Sequence, residues 1–200
     1  MTIITRKYLA ETMNNMYKKK YLTMRDGNIS YKPKNSNYFY ITAGSVKKSE
    51  MTEDQILKIN ISNKNLIFSD KNNPLYKPSR EINIHSFLQM DKRYYDKDTF
   101  IVHVHPPNIL SYIGVNNCIE LNTIQDIFPE INAGKIGKNV KFFDAGTIDL
   151  ADNCYKNLLN NDIIGMERHG TLSIGKDMDK IIENIETLEF YTNISLKSKN

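Results

Sequence analysis

Ile101-Val102-His103-Val104-His105-Pro106-Pro107-Asn108 is the stretch that decides the fold. The apolar residues at 100–104 read as a buried strand. Strand side chains repeat every two residues, so His103 and His105 share one face. Two prolines stop the strand. Paired imidazoles at a strand end are poor core-builders and good metal ligands. His169-Gly170, distant in the chain and also at the end of an apolar run, offers a third nitrogen. Three imidazoles with an open position make a catalytic rather than a structural metal site. Zinc suits three nitrogens best, with manganese and cobalt as alternatives.

Outward from this strand, helical and extended patterns interleave. Residues 4–20 carry Ile4, Tyr8, Leu9, Met13, Met16 and Tyr17 at helical spacing. Asp26-Gly27-Asn28-Ile29-Ser30 reads as a turn leading into a strand. Tyr38–Thr42, Ile56–Ile61 and Asn65–Phe68 read as further strands. Thr52 and Gln55 have capping-box spacing. The loop Lys71–Ser79 delivers the chain to a helix across roughly 81–92. Pro107 can open a helix. Val140–Phe143 reads as a short strand, and Thr147 begins a helix that runs to roughly 159. Ile163–Met166 and Thr171–Ile174 are two more strands. Asp177 caps a last helix with Met178, Ile181, Ile182, Ile185 and Leu188 as its buried stripe. Residues 116–139 are polar and fit no pattern. The sum is an α/β chain: a mixed sheet of roughly seven short strands between helices, in three layers.

A length of 200 residues suits one domain over 1–200. An apolar fraction of 40% and a charged fraction of 25% are those of an ordinary globular protein. The net charge of +4 comes from scattered or terminal lysines, so no nucleic-acid partner is expected. Cys118 and Cys154 form no CxxC, no long apolar leader or membrane span stands out, and a cytoplasmic location is the simplest expectation.

Glu81 admits two readings. It is an exposed helix-start carboxylate, or a general acid/base or a metal ligand displaced when substrate arrives. His85, one turn later, reads as a packed neighbour on the same helix face. Asn28, Ser30, Thr42, Gly44, Ser45 and Ser79 are small polar loop residues. Alone they are turn chemistry; brought together they would form a phosphate nest.

In order, Gly27-Asn28-Ile29-Ser30, the turn at 42–45, Pro78-Ser79-Arg80-Glu81 with His85, His103-Val104-His105-Pro106, Gly146-Thr147-Ile148-Asp149-Leu150-Ala151 and Arg168-His169-Gly170 resemble the class II aldolase/adducin family. That group contains L-fuculose-phosphate aldolase-like lyases, L-ribulose-5-phosphate 4-epimerase-like enzymes, methylthioribulose-phosphate-type dehydratases and non-catalytic adducin heads. The resemblance implies a three-layer αβα sandwich around a mixed, largely antiparallel sheet. It implies one zinc ion on His103, His105 and His169, with Glu81 as the catalytic acid/base. It implies a phosphorylated ketose as substrate, cleaved through a metal-stabilised enediolate, and a homotetramer. Its substrate phosphate would meet Asn28, Thr42, Gly44, Ser45 and Ser79. Arg80 replaces the second serine common in the family and can grip phosphate bidentately. Lys32 stands for the family's basic residue near this motif. The segment 116–139, with Glu120, Asp126 and Glu130, matches nothing clearly, and Tyr191 lies within the last helix.

Overall fold

Thr99–Val104 (β5) is buried at every position, so both of its faces must be covered. Alternation divides them. Phe100, Val102 and Val104 join one apolar cluster, while Ile101 joins the other and His103 points with it. The structure is a computed structural model that describes residues 4–62, 65–68, 75–114 and 119–198. Residues 71–74 of the expected proline loop, and Cys118, lie outside the described residues.

Around β5 the chain builds one seven-stranded sheet. Asn28–Lys32 (β1), Tyr38–Thr42 (β2), Ile56–Ser62 (β3) and Asn65–Phe68 (β4) run as a meander on one side. Ile163–Met166 (β6) and Gly170–Gly175 (β7) form a hairpin on the other, giving the order β4-β3-β2-β1-β5-β7-β6. All neighbouring strands are antiparallel. Among the described residues, parallel pairing is confined to two isolated bridges, Ile136 with Ile163 and Val140 with Met166. The expected strand at Val140–Phe143 therefore reduces to a bridge at Val140, because Lys141 and Phe142 turn outward to solvent.

Helices cover both faces. Arg6–Lys18 (α1), Pro107–Gly114 (α3), the short Ile124–Ile127 (α4) and Met178–Lys197 (α6) share one cluster. Ile82–Gln89 (α2) and Ile148–Leu158 (α5) share the other. The sequence chemistry sets their ends. Thr5, Thr147 and Asp177 each accept a first-turn backbone N–H, as helix-capping side chains do. Gln55 Oε1 accepts the Thr52 N–H at 3.2 Å, as the capping box requires. The helix expected to reach roughly residue 92 stops at Gln89, because Asp91 accepts the Arg93 N–H at 2.9 Å and starts a separate turn.

One buried carboxylate fixes how the chain leaves β5. Glu189 of α6 accepts the Asn108 N–H at 3.0 Å, the Asn108 side-chain amide at 2.7 Å and the Ile109 N–H at 2.9 Å. It thus neutralises the positive N-terminal end of α3 directly after the His-Pro-Pro exit. Glu189→Ala leaves those donors without their acceptor and should lower unfolding stability by about 2–4 kcal/mol. Urea denaturation measures this; an unchanged midpoint would show that water replaces the carboxylate at no cost.

Candidate active site

Register brings the site together. Asn28 pairs with His103 across β1 and β5, and His103 pairs with Leu172 across β5 and β7. Asn28 and His103 therefore stand side by side on the face covered by α2, which Glu81 immediately precedes. Gly27 makes the approach possible: its φ is +69°, and a Cβ there would lie 3.0 Å from the His103 carbonyl and inside the Leu22 side chain. The His105 N–H donates to Tyr21 O at 2.8 Å, which holds the strand end after the ladder stops. His169 comes from the three-residue loop of the β6–β7 hairpin, where Arg168 has φ +56°.

The three histidine rings form a cluster with centroids 4.6, 4.8 and 5.6 Å apart. One ring nitrogen from each lies within 4.8 Å of the others. His103 Nδ1 faces the Thr171 carbonyl at 2.8 Å and so carries the proton. His105 Nδ1 faces Asp26 Oδ2 at 3.2 Å and does the same. Their Nε2 atoms then turn lone pairs toward each other at 2.8 Å. Two facing lone pairs need a cation or a proton between them. Burial pushes His103 down to about 3, against the opposing pull of Glu81, so the ring is neutral as a metal ligand must be.

Glu81 is 6% exposed and makes no capping bond to its own helix. Its Oε2 accepts from Asn28 Nδ2 at 2.7 Å and lies 3.3 Å from His103 Nε2. Its Oε1 lies 3.0 Å from His169 Nε2, yet is a buried atom without a well-formed hydrogen bond. Burial pushes the carboxyl up; the His103 and His169 rings and the Asn28 amide pull it further the other way, well below the usual carboxylate range. This is a buried carboxylate aimed at the histidines, not an exposed helix-start residue. The facing lone pairs and the orphaned oxygen together fit a divalent cation held by His103, His105 and His169, with Glu81 beside it.

Asn28 is oriented in turn. Its Nδ2 also donates to Ser79 Oγ at 3.1 Å, which leaves its Oδ1 to accept from His85 Nε2. His85 is fully buried, its other nitrogen lies 2.7 Å from Ser30 Oγ, and burial pushes its pKa down to about 4.

Two loops close the rest of the cavity, which has a volume of about 250 Å³. Ala43 bridges Pro78, the Gly44 N–H donates to Lys77 O at 2.9 Å, and the Ser79 N–H donates to Thr42 O at 3.2 Å. This zipper sets Gly44, Ser45, Ser79 and Arg80 on one wall, with Asn28, Glu81 and the three histidines. Thr42 is left out: it is fully buried, and its hydroxyl accepts the Ile29 N–H at 3.3 Å. Lys32 is also remote, its ammonium donating to Tyr94 O at 2.7 Å. Glu120, Asp126 and Glu130 do not line this cavity; Glu120 accepts the Asn139 N–H at 2.7 Å. Tyr191 packs on Phe128.

The residues that sequence reading missed are Asp26, Arg25 and Lys48, all on the cavity wall. Asp26 was expected only as part of a turn. It is anchored by the Thr23 N–H at 2.7 Å and the Thr23 hydroxyl at 2.6 Å, and it orients His105. The Thr23-x-x-Asp26 spacing is the only local sign of it.

The Class II Aldolase and Adducin N-terminal domain matches residues 7–196. The chain belongs to the class II aldolase and adducin family. An L-fuculose phosphate aldolase of Methanococcus maripaludis is 29% identical over 174 residues, 87% of this chain and 86% of the relative. One from Methanocaldococcus jannaschii is 27% identical over 191 residues, 96% of this chain and 95% of the relative. The fold is that of a solved L-fuculose 1-phosphate aldolase, with a TM-score of 0.77 at 18% identity over 100% of this chain and 88% of that one. A sugar-phosphate aldolase from Thermotoga maritima has the same TM-score of 0.77 at 20% identity, over 96% and 93% of the two chains. This family member has no helix, among the described residues, long and apolar enough to cross a membrane.

Gly170 ties the family fold to the site. A methyl there would sit 2.5 Å from both His105 Cδ2 and Val104 O. Backbone cannot yield as a flexible side chain can, so Gly170→Ala should destabilise the protein by about 1–3 kcal/mol. Urea unfolding tests this; a wild-type midpoint would show that the His105 ring simply swings away.

Proposed function

We propose that this protein is a zinc-dependent lyase that cleaves a phosphorylated ketose into two carbonyl fragments. The observation that carries the reading is the cluster of three imidazole nitrogens within 4.8 Å of one another, beside a buried Glu81 carboxylate whose orphaned Oε1 lies 3.0 Å from His169 Nε2. Family membership and the names of the relatives support it. A divalent ion on His103, His105 and His169 supplies a Lewis acid for the negative charge that grows on the substrate oxygens during cleavage. In that cleavage the C3–C4 bond breaks, the C4 hydroxyl loses its proton to become an aldehyde, and C3 gains a proton.

The chain's own groups divide the work. Glu81, ionised at rest, takes the proton that the C4 hydroxyl loses and delivers it to C3, both through Oε1, because Oε2 is already occupied by Asn28. Asn28 fixes the carboxylate and, with Ser79, narrows the cavity between metal and loops. Ser45, Ser79 and Arg80 line the side on which the substrate phosphate is held. Remote binding of that phosphate places the reacting bond against the metal. On the same reading the 1–200 domain works as a cytoplasmic homo-oligomer, and exposed Phe142, Ile148 and Phe190 offer apolar surface for a second copy to cover.

His103→Ala should abolish zinc uptake while leaving the far-ultraviolet circular dichroism unchanged. Full zinc occupancy in that variant would refute the ligand set. Glu81→Gln should retain zinc and lower kcat at least ~100-fold, the low end for a general acid/base. Both are read in a phosphoketose screen that follows aldehyde release and epimer formation separately. Turnover to an epimer without free aldehyde would replace cleavage with 4-epimerisation on the same site.

A further inference from the structure

Lys48 has no role in the chemistry described so far. It opens the single turn of 3-10 helix Lys48–Glu50 behind the 43–46 loop, and its N–H donates to Met24 O at 2.8 Å. It is 1% exposed, one of the largest fully buried side chains, and still borders the cavity. Its ammonium has two long contacts only, 3.4 Å to Ala43 O and 3.5 Å to Val46 O. No carboxylate among the described residues forms an ion pair with it. Burial pushes its pKa down to about 8; Asp26 opposes the change from a distance, and Arg25 adds to it. A buried cation without an anion is costly to keep.

The carboxylates of the cavity are already committed. Glu81 faces His103 and His169, and Asp26 faces His105. The neighbouring cations likewise have no ion pair among the described residues: Arg25 donates to the Ser45 carbonyl, and Arg80 to Ala145 O at 3.3 Å. Positive charge therefore collects at the loop end of the cavity with no protein anion to meet it. The neutral donors expected there are fewer than the sequence offers, since the Gly44 N–H is bound to Lys77 O and Thr42, fully buried, does not line the cavity. Resting on the phosphoketose reading above, we propose that Lys48 is the specificity-determining cation of this cavity, the group that makes it select a phosphorylated over an unphosphorylated ketose. The ammonium shares the 43–46 loop with the incoming phosphate and supplies the charge that the depleted neutral donors cannot.

The test uses the zinc-loaded full chain and inorganic phosphate as the probe, with calorimetric titration of wild type, Lys48→Met and Lys48→Arg. Wild type should bind phosphate saturably, Lys48→Met at least about tenfold more weakly, and Lys48→Arg near wild type. Removing an unpaired buried charge should leave the urea midpoint of Lys48→Met equal to wild type or higher. A merely structural lysine would do the opposite. Equal phosphate affinity in wild type and Lys48→Met overturns the proposal alone. Lower stability in Lys48→Met, with binding not restored in Lys48→Arg, also overturns it, because the side chain then only props the loop. Zinc-loaded wild type that binds no phosphate overturns the phosphoketose reading and this proposal with it.

Discussion

The constraint on which the molecule turns is the meeting of two imidazole lone pairs at 2.8 Å, on His103 and His105, in the cavity wall. Left alone, that contact is repulsive. It persists because both rings are tied from behind, His103 by the Thr171 carbonyl and His105 by Asp26. The sheet supplies the first tie through β7 and the loop before β1 supplies the second. Two helices then hold the strand: α2 brings Glu81 over its face, and α6 fixes its exit through Glu189. The layers thus hold together two nitrogens whose facing lone pairs suit a shared cation.

Residues that announce themselves by type and local spacing were legible in the sequence. The His103–His105 repeat, the strand beneath it, the capping threonines and the Asp177 cap are short-range patterns, and short-range physics fixes them. Glu81 and His169 were legible as candidates because each stands at an element end. Their meeting was not derivable from spacing; the family resemblance implied it and the fold brings them together. Asp26, Lys48 and Glu189 were illegible for one reason. Each owes its role to partners distant in space, while its local sequence reads as a turn, a surface charge or the polar edge of an amphipathic helix. Thr42 shows the converse error. A threonine at a strand end looks available, but the β1–β2 contact turns its hydroxyl inward to Ile29.

The site divides its charges by location. Carboxylates lie at the histidine end, where they face ring nitrogens. Cations lie at the loop end, where they face backbone carbonyls. A small cavity with this polarity orients a bound molecule before any contact is made, because one end repels what the other attracts. The proposed substrate, with a dianion and a neutral polyol chain on one molecule, matches that division, and the zipper between the loop after β2 and the start of α2 holds the loop end in place.

The polar network behind Glu81 has a direction, and the direction has a consequence. Asn28 Nδ2 donates to Glu81 and Ser79, so its Oδ1 must accept, which makes His85 Nε2 a donor. His85 is neutral, so its Nδ1 must accept from the Ser30 hydroxyl, and that oxygen in turn accepts from Gln89 Nε2 at 2.9 Å. Every hydrogen bond from Gln89 to Glu81 therefore points at the carboxylate. A chain in which all donors face one anion stabilises its charge and offers it no route to pass a proton inward. Any proton that Glu81 takes must come and go by its other oxygen, Oε1, the one left without a well-formed hydrogen bond and facing His169. A carboxylate with one oxygen locked by the core and the other turned to His169 is arranged for the acid/base role proposed for it.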